Sequence, residues 1–227
     1  MLAGCAGDAT IIPDQHTDSP FVGVYSSNYT RGTLIGGQVT LAVTGMNSIE
    51  VSVDDNTAGF FHGTGVLQTN VFSVNCTKLG GETVTVTGTF QGAGTGRMAS
   101  GNVTGAFTTS YTATFSRSPG ITPLVGHYEG FYNGQRQGIF MFDVYTDGHI
   151  TGTLIDDNTQ IGSGALTGNV NGSGFISFTS GNPTTATFIT FNGVLRASQE
   201  AVLGSGGFRD NQGMTGDWEC GTSNGEG

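Results

Sequence analysis

Two stretches of this chain, about a hundred residues apart, follow one plan, and a fold must satisfy both. Val22-Gly23-Val24-Tyr25 corresponds to Val125-Gly126-His127-Tyr128, and Val53-Asp54-Asp55-Asn56-Thr57 to Ile155-Asp156-Asp157-Asn158-Thr159. The spacing from the Tyr to the first Asp is 29 residues in one half and 28 in the other. Further along, Gly63-Thr64-Gly65 matches Gly162-Ser163-Gly164, and Val71-Phe72-Ser73-Val74 matches Phe175-Ile176-Ser177-Phe178. Gly105-Ala106-Phe107 matches Gly206-Gly207-Phe208, and Phe115 falls opposite Trp218. The offset stays within 99–105 residues throughout. Shared order at near-constant offset marks an internal duplication, so one unit must fold and then fold again.

Each half divides into about eight short runs of strand character. In the first they fall near 21–26, 37–44, 48–54, 60–67, 70–76, 82–91, 97–107 and 110–117. In the second they fall near 124–132, 137–146, 148–156, 162–170, 173–179, 184–196, 200–208 and 213–220. Val39, Leu41 and Val43 alternate with Thr40 and Thr44; Ile49, Val51 and Val53 alternate with Ser48, Glu50 and Ser52. A period of two means one dry face and one wet face, and Thr suits the wet one. Thr146-Asp147-Gly148, Asn171-Gly172-Ser173-Gly174 and Gly80-Gly81 supply hairpin turns. No segment carries a helical period. The fold class is therefore all-β: two tandem antiparallel up-and-down barrels of about eight strands each, closed to remove sheet edges. One two-sheet sandwich shared by both halves is the alternative. The expected divisions are a tether at 1–20, a first barrel at 21–118 and a second at 122–220, with a linker over Ser116 to Pro123.

Composition suits that reading. Forty Gly serve turns, while 15 Phe and 6 Tyr fill cores. The net charge of −10, with one Lys (Lys78) and six Arg, repels phosphate backbones and excludes nucleic acid as a partner. No apolar run approaches the roughly 18–20 residues of a membrane-spanning helix.

Leu2-Ala3-Gly4-Cys5, followed by a Pro-, Asp- and Thr-rich stretch to Pro20, resembles the lipobox of bacterial lipoproteins. The resemblance implies a leader upstream of Leu2, cleavage before Cys5 and lipidation of its thiol and amine. Two or three acyl chains anchor a protein stably. Ala6 is not the Asp that retains enterobacterial lipoproteins in the inner membrane, so the outer membrane is implied, with the chain in the periplasm or at the surface. Acylation of Cys5 would leave Cys76 and Cys220 either as a disulfide or as two buried thiols. Gly-rich eight-stranded units behind a lipobox are similar in architecture and composition to the barrels of surface lipoproteins such as transferrin-binding protein B. No binding motif of that family is matched, so no binding residue carries over. Avidin-type biotin sites need several Trp, and this chain has one.

Asp54, Asp55, Asp156 and Asp157 are the candidates for Ca²⁺ ligation, which wants six to eight oxygens. Asp-Asp-Asn-Thr after a strand reads more simply as a turn, and no metal or other cofactor is expected. His16, His62, His127 and His149 lack the spacing of a zinc site. Gly162-Ser163-Gly164 and Gly172-Ser173-Gly174 lie in turn contexts without a following helix, so no catalytic residue is assigned. Tyr25, Tyr128, Phe131, Tyr132, Phe140, Phe142 and Tyr145 should divide between core and exposed surface. The functional expectation is a membrane-anchored, non-enzymatic binder of a protein or small ligand at the cell envelope. A structural or envelope-assembly component and an exported hydrolase are the alternatives.

Overall fold

A computed structural model describes residues 19–157, 163–181, 188–198 and 201–222, apart from the side chains of Met46 and Ser163. The lipobox with Cys5, the tether to residue 18, His16, Gly162 and the Asn158-Thr159 part of the repeat lie outside the described residues. The first half forms β1 (Gly23–Arg31), β2 (Leu34–Thr44), β3 (Ser48–Asp55), β4 (Gly59–Val66), β5 (Val71–Lys78), β6 (Thr83–Gln91), β7 (Met98–Gly105) and β8 (Thr109–Arg117). The second forms β9 (Gly126–Gly134), β10 (Gly138–Val144), β11 (His149–Asp156), β12 (Ser163–Val170), β13 (Phe175–Ser180), β14 (Ile189–Ala197), β15 (Val202–Asp210) and β16 (Thr215–Thr222). Each set pairs antiparallel with its sequence neighbours and closes on itself. The chain is therefore two closed eight-stranded barrels, and the shared sandwich is not formed.

Alternation fixes which face is dry. Val39, Leu41, Val43, Ile49, Val51 and Val53 enter the first core, and Phe140, Phe142, Phe178, Phe191, Phe208 and Trp218 the second. The outer face of β5–β8 is largely Thr, Ser and Asn, residues whose short polar chains tolerate water. Apolar inside and polar outside is the reverse of a membrane-spanning barrel, which needs an apolar outer belt. Among the described residues no helix is long and apolar enough to cross a membrane. The turn chemistry works as expected at Asp147-Gly148: Gly148 takes φ 85° and its N–H donates to the Tyr145 carbonyl at 2.9 Å.

The duplication extends to single hydrogen bonds. Tyr25 Oη donates to the Phe21 carbonyl at 2.7 Å, and Tyr128 Oη to the Leu124 carbonyl at 2.6 Å. Tyr29 Oη donates to Asp55 at 2.8 Å, and Tyr132 Oη to Asp156 at 2.7 Å. Several pairings need correction. Asp55, not Asp54, is the counterpart of Asp156, so Ile155 stands where Asp54 does. By register Gly63-Thr64-Gly65 falls with Leu166-Thr167-Gly168, and Phe208 with Val103. Phe115 lies opposite Tyr25, but the residue opposite Tyr128 is Thr222; Trp218 faces Tyr132. The counterpart of Phe115 is thus Thr222, four residues from Trp218. The first hairpin also exceeds its expected strands, with β1 running to Arg31 and β2 starting at Leu34. The stretch Ser26–Arg31 is mostly polar, and its one deeply buried apolar side chain is Tyr29, so it shows little alternation.

The barrels dock side by side, which overturns the expected wet face of β2 and β3. Thr40 and Ser52 are as buried as the core, because outward faces of β2–β4 are covered by β13–β16. Val24, Ala42 and Phe175 make a small apolar cluster across the junction. Phe60 lies over Gly207, where an added Cβ would stand 3.5 Å from its own. Cys76 belongs to the first core and Cys220 to the second, and both are free thiols. The disulfide entertained from the sequence is not formed, because each sulfur points into a different barrel. Burial pushes both thiols up to about 12.

Candidate functional site

Closed barrels suggest an internal ligand chamber, but these interiors are filled by their own side chains. In the second barrel Phe178 stacks on Phe191 at 4.6 Å between ring centroids, and Trp218 meets Phe178 and Phe140 edge-on. At one end of the first barrel Asp55 accepts bonds from Tyr29 Oη, Arg31 Nη1 and the N–H groups of Thr57 and Ala58. Burial alone would raise the Asp55 carboxyl, but those donors outweigh it and hold it below the usual carboxylate range. Burial and the facing carboxylates push the Tyr29 and Tyr132 phenols far up. The second barrel splits the arrangement: Asp156 takes Tyr132, while Arg136 pairs with Asp210 at 2.5 Å.

A cleft of about 810 Å³ lies between the barrels. Asn28, Gln38, Asp54 and Asn56 line its first-barrel side, and Arg196, Leu203, Ser205 and Glu219 its second-barrel side. A cluster at its floor joins the two. Arg196 Nε donates to Thr40 Oγ1 at 3.2 Å and Nη1 to Ser205 Oγ at 2.6 Å, while Ser205 Oγ donates to Asp54. Arg196 Nη2 stands 3.6 Å from Asp54. Burial lowers the Arg196 guanidinium, opposed by Asp54. On another side of the junction Asn171 Nδ2 donates to Glu50 at 2.8 Å, and His62 packs on the Phe175 ring. Hydroxyls, amides and aliphatic side chains such as Ile35 and Leu203 give the cleft both hydrogen-bonding and apolar contacts, the usual mixture of a ligand site.

The four expected Ca²⁺ candidates are not brought together. Asp54 serves the junction, Asp55 and Asp156 seal separate barrels, and Asp157 is exposed. Asp55 ends β3, and its carboxylate accepts the Thr57 and Ala58 N–H groups of the turn that follows. Among the described residues no three His, Cys, Asp or Glu side chains converge as metal ligands. His62 contacts Glu50, His127 contacts Asp143, and His149 stacks on Tyr145. Ser173 is buried in the β12–β13 hairpin, its N–H donating to Asn171 Oδ1.

The aromatic residues divide as expected. Tyr25, Tyr128, Tyr132, Phe140 and Phe142 are buried, whereas Phe131 is 52% and Tyr145 45% exposed. The register reveals what the sequence hid. Phe131 on β9 lies opposite Ile139 on β10, which lies opposite Ile155 on β11. All three are exposed, with Met141 beside them. They form a ladder of outward apolar side chains across three strands, visible only once strand pairing is known.

No protein-family model matches the sequence, and no curated protein matches it. Among solved structures, a "putative outer membrane protein" from Bacteroides fragilis is similar at 12% identity and a TM-score of 0.28. The match covers 91% of this chain and all of that one. At that TM-score the likeness carries no weight for fold or function.

Proposed function

We propose that this chain is a non-enzymatic binding protein of the bacterial cell envelope. It is held at a membrane by lipid on Cys5, and it takes its ligand, a protein or a small molecule, on outer surfaces rather than inside a barrel. One observation carries the reading: both interiors are packed and sealed at their ends by tyrosines, while the roomy cleft with mixed polar and apolar lining lies between them. The polar outer face of β5–β8 supports attachment by a tether rather than by strands in the bilayer.

The cleft is tested by fragment binding followed by amide shifts, with Leu203→Trp as the variant that fills it. Shifts at Asn28, Gln38 and Leu203, abolished by Leu203→Trp, are the expected result. Shifts confined to inward residues such as Phe140 and Phe191 overturn it. The anchor is tested separately, by intact-mass analysis of protein expressed with its natural leader. An acyl increment on the peptide starting at Cys5 is expected, and its absence removes the envelope assignment.

A further inference from the structure

The contact between the barrels is head-to-tail, so it uses different faces of the two repeats. A face that is covered in one repeat is open in the other. In the first barrel the outward row Asn28–Gln38–Asp54 runs across β1, β2 and β3. This row borders the cleft, and Asp54 there receives Ser205 and Arg196 of the second barrel. The duplication places Phe131–Ile139–Ile155 at the same three positions of the second barrel. There the row is apolar and exposed, and none of the described residues covers it.

Charge decides what kind of surface fits. Glu219 on β16 lies opposite Phe131, and Glu129 on β9 lies opposite Met141. Asp143 and Asp157 follow at the ends of β10 and β11. Among the described residues no Lys or Arg stands on the outer faces of β16 and β9–β12. An apolar centre with an acidic rim repels an anionic lipid surface and calls for cations around an apolar partner. A second copy of this chain is a poor supplier. Six of its seven Lys and Arg are already engaged: Arg31, Lys78, Arg97, Arg117, Arg136 and Arg196.

We infer that the outer face of β9–β11 is a docking surface for a different protein, one that presents an apolar patch ringed by Lys or Arg. The first barrel shows the recognition in miniature: Asp54 in its outer row receives an arginine from the domain docked beside it. Exposed apolar clusters of this kind mark interaction sites, and truncating two central anchors of such a patch removes most of its affinity. The inference goes beyond the cleft reading; the ladder meets the cleft at Glu219, but Phe131, Ile139 and Ile155 do not line it, so either can fail alone, and it does not depend on acylation.

The test uses the full chain without lipid and two probes, an amphipathic Leu/Lys peptide and its Leu/Glu counterpart. The Leu/Lys peptide should bind with amide shifts on β9–β11, and the Leu/Glu peptide should not. Phe131→Ser with Ile139→Ser should weaken binding at least about tenfold, while Glu129→Gln with Glu219→Gln should flatten its salt dependence. If the serine variant unfolds, Ile139→Thr with Ile155→Thr keeps the β-branched shape and removes the apolar row. Equal binding of both peptides, or Leu/Lys binding indifferent to the ladder variants, overturns the inference. So does self-association through the ladder in sedimentation, or ladder-dependent uptake by phosphatidylcholine vesicles.

Discussion

Trp218 rests on backbone that has no side chains to offer. A Cβ at Gly193 would stand 2.2 Å from its Cζ2 and 2.3 Å from the Ser205 carbonyl, and one at Gly206 would stand 2.6 Å from its Nε1. The indole N–H donates to the Asn192 carbonyl at 3.1 Å, so the ring is fixed in depth as well as direction. Gly193→Ala should therefore cost about 1–3 kcal/mol by overpacking. Urea unfolding, followed by the fluorescence of this single Trp, measures the loss. The Asp55 carboxyl makes a different kind of prediction. Its folded pKa is depressed below the unfolded value. Its contribution is thus present above the unfolded value, near pH 4, and is lost as pH falls through the lower folded one. Asp55→Asn should cost about 1.5–3 kcal/mol at pH 7, and the gap from the parent should close below about pH 4. Unfolding midpoints across pH 2–7 decide this; a gap that persists at the acid end removes the carboxylate argument. Neither the glycine bed nor the Tyr–Asp seal could be assigned from the chain alone. The DDNT motif was visible, but which of its carboxylates points inward depends on register.

At the scale of strands, alternation was easy to read wherever only one face is dry, as in β6, where Val84 and Val86 point inward between threonines. All sixteen strands coincide with an expected run because Gly and Asn-Gly or Asp-Gly pairs punctuate them so regularly. Alternation says nothing about which outward face another domain will cover. Thr40 and Ser52 were expected in water for that reason. Conserved strand order also conceals a local slip in pairing, as at Phe115. The two barrels close unequally. Seven residue pairs join β9 to β16, whereas three join β1 to β8 and two join β4 to β5. Fewer ladder bonds mean easier local opening. Amide exchange should be faster along β1–β8 and the unpaired end of β4–β5 than along β9–β16. Equal protection at the three seams would refute the difference.

For the whole molecule, the site is a product of assembly: duplication made two barrels, and head-to-tail docking made one cleft and left one apolar face open. Sequence reading reached the barrels but not the cleft, since its lining comes from residues as far apart as Asn28 and Glu219. The junction itself combines an apolar centre, Val24, Ala42 and Phe175, with the Arg196–Asp54–Ser205 cluster beside it. Removing Asp54 leaves a half-buried guanidinium with one fewer acceptor, and removing Arg196 leaves Asp54 with Ser205 alone. Asp54→Ala and Arg196→Ala should therefore each destabilise, and the double variant should cost less than their sum by about 0.5–3 kcal/mol. Phe175→Ser should act on docking rather than on either core, since its ring meets His62 at 5.1 Å across the junction. One unfolding transition should then separate into two, because barrels that no longer share buried surface lose cooperativity. Calorimetry reads the split, and small-angle scattering reads the accompanying expansion. A Phe175→Ser protein that keeps one transition and an unchanged radius would mean that the apolar centre does not hold the barrels together, and would move that role to the polar cluster.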